Sequence, residues 1–407
     1  MKRYFIWCIL FVFLAGCSDK DDVTPPPVIP PEEEPEPTVS FREQDSLALV
    51  NLWNTSVWGE DKPDWDFEST ITNWSGVMER GGRVVALDFT GKTLMTLSDG
   101  IGRFSALNSL NVSGNEELIA LSDSVWTLSG LTRLDISGTG LETISERIST
   151  CHSLSFLKLE GWNGNEFPES VLKCDFLDTL IISPLLGWNG AVIPKQIGDM
   201  TGLKYLSFTD MMATDFMMPA SLSNLKQLKT LVLNNVGIDV LPENLRELGN
   251  LEELRATFIN MAEFPEWLGE LNHLKKLSCM ACGLEEFPPV DLLTGLEELE
   301  LAGNYIPELP AEIGQLTKLT RLSVIASGMT DVPDEIGELV SLRELILSAN
   351  ELTRLPETME RLIALELLDL TDNYDLEWEI PASMQVRADA GDLIVKLGEA
   401  EDEPGIK

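Results

Sequence analysis

The sequence predicts an α/β solenoid in which short parallel strands stack into one continuous sheet. Two observations carry this. The pattern Leu-x-x-Leu-x-Leu returns along the chain, as in Leu107-x-x-Leu110-x-Val112, Leu228-x-x-Leu231-x-Leu233 and Leu342-x-x-Leu345-x-Leu347. Its starts fall at 84, 107, 131, 154, 177, 203, 228, 251, 274, 296, 319, 342 and 365, thirteen units spaced by 22 to 26 residues. Alternation makes each six-residue segment a strand with one apolar side. A single unit cannot bury that side, whereas stacking on the next unit supplies a continuous core. The second half of each unit keeps the pattern, as in Leu309-Pro310-Ala311-Glu312-Ile313 and Val332-Pro333-Asp334-Glu335-Ile336.

Composition narrows the function classes. The chain has 407 residues, 29 Lys and Arg against 67 Asp and Glu, and a formal net charge of −38. Such a surface repels phosphate backbones, which excludes nucleic acid as a partner, and it is unsuited to docking on anionic lipid. Apolar residues make up 44% of the chain, enough for a real core.

The N-terminus reads as an address. Lys2 and Arg3 precede an apolar run from Tyr4 to Gly16, too short to span a bilayer core that needs about 20 residues. It has the layout of a secretory signal. Leu14-Ala15-Gly16-Cys17 resembles the lipobox of bacterial lipoproteins, which implies cleavage and acylation, such as palmitoylation, of Cys17. Ser18-Asp19-Lys20-Asp21-Asp22 resembles the export signal of Bacteroidota surface lipoproteins, implying an outer-membrane lipoprotein exposed at the cell surface. Membrane contact would then run through the lipid anchor alone. Residues 18–37 are rich in Pro and Glu, an extended tether in which Pro fixes φ and carboxylates repel.

Residues 38–83 read as an N-terminal cap. Ser40 and Glu43 form a capping-box pattern, opening a helix to about Trp53 with Leu47, Val50 and Trp53 on one side. Trp58, Trp65 and Trp74 follow, then Gly81-Gly82 and Arg83-Val84-Val85-Ala86-Leu87. Large apolar rings favour burial under a cap over display as a sugar platform. After the repeats, 84–384, residues 385–407 read as a C-terminal cap with a short strand at Leu393–Leu397 and an acidic tail.

The repeats are similar to the leucine-rich repeat family, over about 300 of the 407 residues. The resemblance implies a right-handed horseshoe with a parallel concave sheet, and Asn after each strand as a cap for backbone groups. Asn115, Asn304, Asn350 and Asn373 match that position, Cys282 is a permitted alternative, and Thr139 and Ser327 are small polar substitutes. Trp162, Leu185, Met211, Val236 and Ile259 depart from it, so the central geometry is the less determined part. The Trp74-Ser75-Gly76-Val77 segment resembles the plant-type cap of the family, without its Cys pair. Insertions around Pro184–Gly190 and Met211–Met218 fall in the same region and must loop out on one face.

Chemistry-bearing residues are few. Cys279-Met280-Ala281-Cys282 has redox or zinc spacing, but the repeat register puts both thiols in the core. Cys151 and Cys174 share one register position in adjacent units, so either a disulfide or two core thiols is open. His152 and His273 have no nucleophile beside them. No catalytic residue, metal or cofactor is expected. The residues between the Leu positions form the concave surface. In units 4 to 9 these include Phe156, Lys158, Ile181, Tyr205, Ser207, Val232, Arg255, Phe258 and Met280, with Trp162 following the unit 4 strand. Aromatic, Met and Arg side chains are enriched at interfaces. The expectation is a non-catalytic binding module for a protein or peptide; the alternative is a glycan-binding lipoprotein that assists polysaccharide capture.

Overall fold

A repeat strand can satisfy its backbone only through its neighbours, and in this protein they are the strands one unit before and one unit after. The computed structural model describes residues 40–185, 193–212, 217–376 and 380–397. The signal with Cys17, the tether, Trp188, most of the first insertion, half of the second and the end of the tail lie outside the described residues. Phe41–Lys407 forms one unit and Met1–Ser40 another, of which only Ser40 is described.

Fifteen strands make one sheet. Thirteen are the repeat strands, from Arg83–Asp88 to Leu367–Asp369, all paired in parallel with their sequence neighbours. Val77–Arg80 adds antiparallel at the first edge and Ile394–Lys396 adds in parallel at the last. The register aligns the second Leu of each unit, so that Leu206 pairs with Leu231, Leu231 with Leu254 and Leu254 with Leu277. These side chains are fully buried, and each such burial contributes about 2 kcal/mol.

Opposite the sheet, eleven of the thirteen units turn through one short 3₁₀ segment; the unit starting at 274 has none, and the last leads into the helix Ala382–Ala390. The first residue of the 3₁₀ segment is capped by Ser98, Ser122 or Ser145 in the early units, where the hydroxyl accepts a backbone N–H two residues on. From Pro168 onward the same position is usually Pro, as at Pro194, Pro242, Pro310 and Pro356. Pro presets φ where no intrahelical N–H bond is required.

Two columns then shape every unit. The first is the polar spine. Asn304 accepts from the amides of Cys282 and Leu284 at 3.0 and 3.2 Å, and donates to the carbonyls of Cys279 and Leu301 at 2.8 and 2.7 Å. Asn350 repeats this arrangement. Ser327 and Cys282 stand in by donating to the preceding unit's carbonyls, Leu301 and Ala256, at 3.3 Å each. Where the spine is apolar, main chain replaces it: Met261 N–H donates to the Cys282 carbonyl at 2.8 Å, and Gly237 N–H to Met211 at 3.0 Å. The sheet is continuous through these units, and its strands lengthen from three residues to between five and seven.

The second column is the eighth residue of each unit, which has a positive φ. It is Gly at 91, 114, 138, 161 and 303, but Asp210, Asn235, Phe258, Ala281, Ala326, Ala349 and Asp372 elsewhere. This left-handed residue turns the chain off the sheet while its N–H still reaches the next unit, as for Asn235 to Thr257 and Gly303 to Ile325. Among the described units only the fifth lacks it, because Pro184 occupies the position and Pro cannot take positive φ.

The helix Phe41–Thr55 covers the first unit. Its buried face is Asp45, Ala48, Leu49 and Leu52, and Leu47, expected on that side, is 63% exposed. The face is set by Asp45, which is buried and accepts from Val84 N–H at 2.7 Å and Arg83 Nε at 3.2 Å. Trp65 and Trp74 are buried and stacked at 5.2 Å. Their indole N–H groups donate to the carbonyls of Ser75 and Asp66, both at 2.8 Å, which leaves neither ring free as a sugar platform. At the other end the helix Ala382–Ala390 covers the last turn, beginning ahead of the expected 384/385 boundary because Pro381 caps it. Arg387 donates to the carbonyls of Leu362 and Leu365, and Gly391 closes the helix in left-handed conformation.

Asn304→Ala should destabilise the protein by about 3 kcal/mol, since it strands two buried amides and two buried carbonyls. Urea unfolding followed by circular dichroism measures this; a loss below 1 kcal/mol would contradict the role given to the spine.

Candidate binding face

The third, fifth and seventh residues of each unit point away from the Leu columns, and the parallel register sets them in rows. The fifth-position row reads Asp135, Lys158, Ile181, Ser207, Val232, Arg255, Ser278, Glu300. The third-position row reads Arg133, Phe156, Thr179, Tyr205, Thr230, Glu253, Lys276, Glu298, Arg321. Phe156, Lys158, Ile181, Tyr205, Val232 and Arg255 therefore share one face, as the spacing implied.

Two expected members do not belong to the exposed surface. Trp162 occupies the apolar spine position and is only 3% exposed, its indole N–H donating to the Glu166 carbonyl at 3.0 Å. Ser207 is on the correct face but 5% exposed, a short side chain between the longer Ile181 and Val232. Phe258 is not on the strand. It is the left-handed eighth residue of its unit, at the rim, with φ 53° and 62% exposure. Met280, at 38% exposure, ends the next strand, and its carbonyl accepts the Phe258 N–H at 3.0 Å.

Charge on the face is cancelled locally. Lys158 pairs with Glu160 at 2.7 Å, Arg255 with Glu253 at 2.6 Å and Lys276 with Glu298 at 2.6 Å. Arg321 bridges Glu300 at 3.2 Å and Glu344. The hydrogen bond from Lys158 to Glu160 raises the lysine pKa, and burial raises that of the Tyr205 hydroxyl. The Arg133 guanidinium lies 3.8 Å above the Phe156 ring and half-covers it. Between these pairs lies a neutral strip of Ile181, Tyr205, Val232, Asn234, Thr257 and Met280. The ladder Lys276–Glu298 and Glu300–Arg321–Glu344 joins opposite charges one repeat apart, a pairing that the sequence reading did not single out. The positive φ at Phe258 was not legible either, because Phe is not a residue type that marks a left-handed position.

Neither protein families nor curated proteins match this sequence. Solved structures do. A leucine-rich repeat protein of Leptospira interrogans superposes with a TM-score of 0.57 and 27% identity, covering 75% of this chain and 82% of that one. An internalin of Listeria monocytogenes gives 0.55 and 21%, covering 77% and 89%. The ectodomain of the Arabidopsis receptor kinase HAESA, solved with the peptide hormone IDA, gives 0.51 and 21%, covering 82% and 67%. The fold is that of the leucine-rich repeat proteins.

The leucine-rich repeat register also decides the cysteines. Cys279 and Cys282 are both buried, Cys279 as a core residue and Cys282 as a spine donor. Burial pushes the Cys279 thiol well up and raises that of Cys282. Cys151 and Cys174 are buried free thiols, pushed up to about 11 and about 12 by desolvation. Among the described residues no group of three His, Cys, Asp or Glu is placed to hold a metal ion. His152 packs edge-on to Phe176, and His273 Nδ1 meets the Gly249 carbonyl at 2.8 Å.

Two outcomes follow. Iodoacetamide at pH 8 should leave Cys151, Cys174, Cys279 and Cys282 unlabelled in the native protein and modify them once it is unfolded, without a reductant; native labelling of Cys279 would contradict its burial. The Glu252 carboxyl, bonded by Lys229 at 2.6 Å and Lys275 at 2.9 Å, is pulled from 4.5 to about 2. Its depressed pKa means its stabilisation is complete above pH 4.5 and fades as pH falls toward 2. Carbon-detected NMR should place its midpoint near 2, rising in Lys275→Ala.

Proposed function

We propose that the protein is a non-catalytic docking module whose neutral strip, on the face of units 4 to 9, takes a protein or peptide segment. The observation that carries this is local neutrality. In a chain of net charge −38, the half-buried Ile181, Tyr205 and Val232 and the exposed Phe258 and Met280 lie where every Lys and Arg of units 4 to 9 on the face, Lys158, Arg255 and Lys276, is already paired with a carboxylate. Depletion of free charge with aromatic, Met and Arg side chains is the composition of an interface core. Support from elsewhere comes from the HAESA ectodomain, whose structure holds a peptide hormone; at 21% identity that likeness concerns the fold.

A glycan is the weaker reading. Sugar recognition needs many free donors and acceptors, and here the charged ones are engaged with each other. Trp162, on which stacking would have relied, is buried, and Trp188 lies outside the described residues. The lipobox at Cys17 and the acidic motif behind it support display of the module from the outer membrane by a lipid anchor.

The full chain in detergent, immobilised and offered a random dodecapeptide phage library and a glycan array, tests this. Peptides should be enriched, and Tyr205→Ala should weaken them by about tenfold or more, as expected for an aromatic anchor. Enrichment of glycans alone, or of peptides indifferent to Tyr205, Val232 and Arg255, would overturn it. For the anchor, mass spectrometry of the membrane fraction should find a lipid-modified N-terminal Cys17, lost in Cys17→Ser.

A further inference from the structure

Phe258 is the one aromatic residue in the left-handed column. Elsewhere that column is Gly, Asn, Asp or Ala, the residues that tolerate or least resist positive φ. A bulky side chain there is strained, and at 62% exposure little packing offsets the strain. Strain kept at an exposed position points to use of the side chain.

A second observation lies beside it. Asn234, the seventh residue of the preceding unit, pairs in register with Thr257, the residue before Phe258. Its Oδ1 is buried and has no hydrogen-bond partner, although an enclosed acceptor normally has one. Asn234, Thr257 and Met280 form one row across three adjacent strands, with neighbours about 4.8 Å apart. Phe258 stands at the rim end of its middle strand. The row carries no charge.

We propose that Phe258 and Asn234 form a specificity subsite for an extended peptide. Phe258 with Met280 holds one apolar side chain of the ligand, and Asn234, whose Oδ1 no hydrogen bond holds in place, turns that enclosed oxygen outward to accept a backbone N–H adjacent to it. This rests on the reading of the strip as a peptide face, and it names the ligand chemistry: an uncharged, extended segment with a large apolar residue. A peptide is favoured over a sugar because the apolar walls are Phe and Met, and the unpartnered Asn234 Oδ1 is an acceptor suited to a main-chain amide.

The peptides enriched on the full chain supply the probe. Phe258→Asn, which installs the residue that the neighbouring unit carries at Asn235, should lower peptide affinity by about 30-fold, a typical hot-spot loss, while the thermal midpoint stays level or rises. Phe258→Trp should retain binding. Asn234→Leu should leave the fold intact, since no bond is lost, and weaken binding by about tenfold. N-methylation along the peptide should find one position whose loss is large in the parent protein and absent in Asn234→Leu. Peptides that need Tyr205 but ignore Phe258→Asn and Asn234→Leu would overturn the subsite and leave the docking face standing. An N-methyl scan with no Asn234-dependent position would overturn the proposed acceptor. Failure to enrich any peptide would overturn the face and the subsite together.

Discussion

Every repeat strand of this protein is bonded to a strand one repeat away in sequence, so its architecture depends on a backbone whose hydrogen bonds are completed between units. A buried amide or carbonyl without a partner costs about 1–3 kcal/mol, and thirteen stacked units would multiply any recurrent omission. The two columns answer that constraint. The spine residue joins the turn of one unit to the next through side-chain amides at Asn304 and Asn350, a hydroxyl at Ser327 and a thiol at Cys282. The left-handed residue lets the chain leave the sheet without releasing its last N–H. The ends, which lack one neighbour, are completed by Asp45 on the first strand and Arg387 on the last turn.

The same constraint separates structure from recognition. With Leu positions committed inward and backbone groups committed to neighbours, only the third, fifth and seventh residues of each strand and the rim are free to vary. The chain spends its acidity unevenly there. On the strand face it is balanced by Lys158, Arg255, Lys276 and Arg321 in short pairs, whereas the opposite side keeps carboxylates such as Glu285, Glu286, Glu308 and Glu312 around open grooves. Excess charge on the far side keeps the array solvated and apart from its copies. Neutrality on the near side lets apolar contact operate.

Packing at single positions was harder to read. Trp162 looked like a recognition residue and is core, because at the spine position it is drawn inward as Met211, Val236 and Ile259 are, whereas Leu185, beside the unit 5 insertion, is exposed. Leu47 looked buried and is exposed, because the face that carries Ala48, Leu49 and Leu52 together with the Asp45 bond to Val84 is the one turned inward. Phe258 was placed on the strand and belongs to the rim.

The sequence by itself determined the unit length, the inward Leu columns, the spine at Asn115, Asn304, Asn350 and Asn373 and the closing strand near Ile394. A repeat writes those requirements thirteen times, and repetition separates them from chance. It also determined which residues of the central units look outward, since alternation leaves the strand no choice. The tertiary structure alone decided how the apolar spine of the central units is satisfied by main chain, which charges cancel across strands, and that Phe258 is held at positive φ beside an unfilled acceptor at Asn234. Those are relations between units, set by register and by the path of the backbone, and a single unit's sequence contains neither.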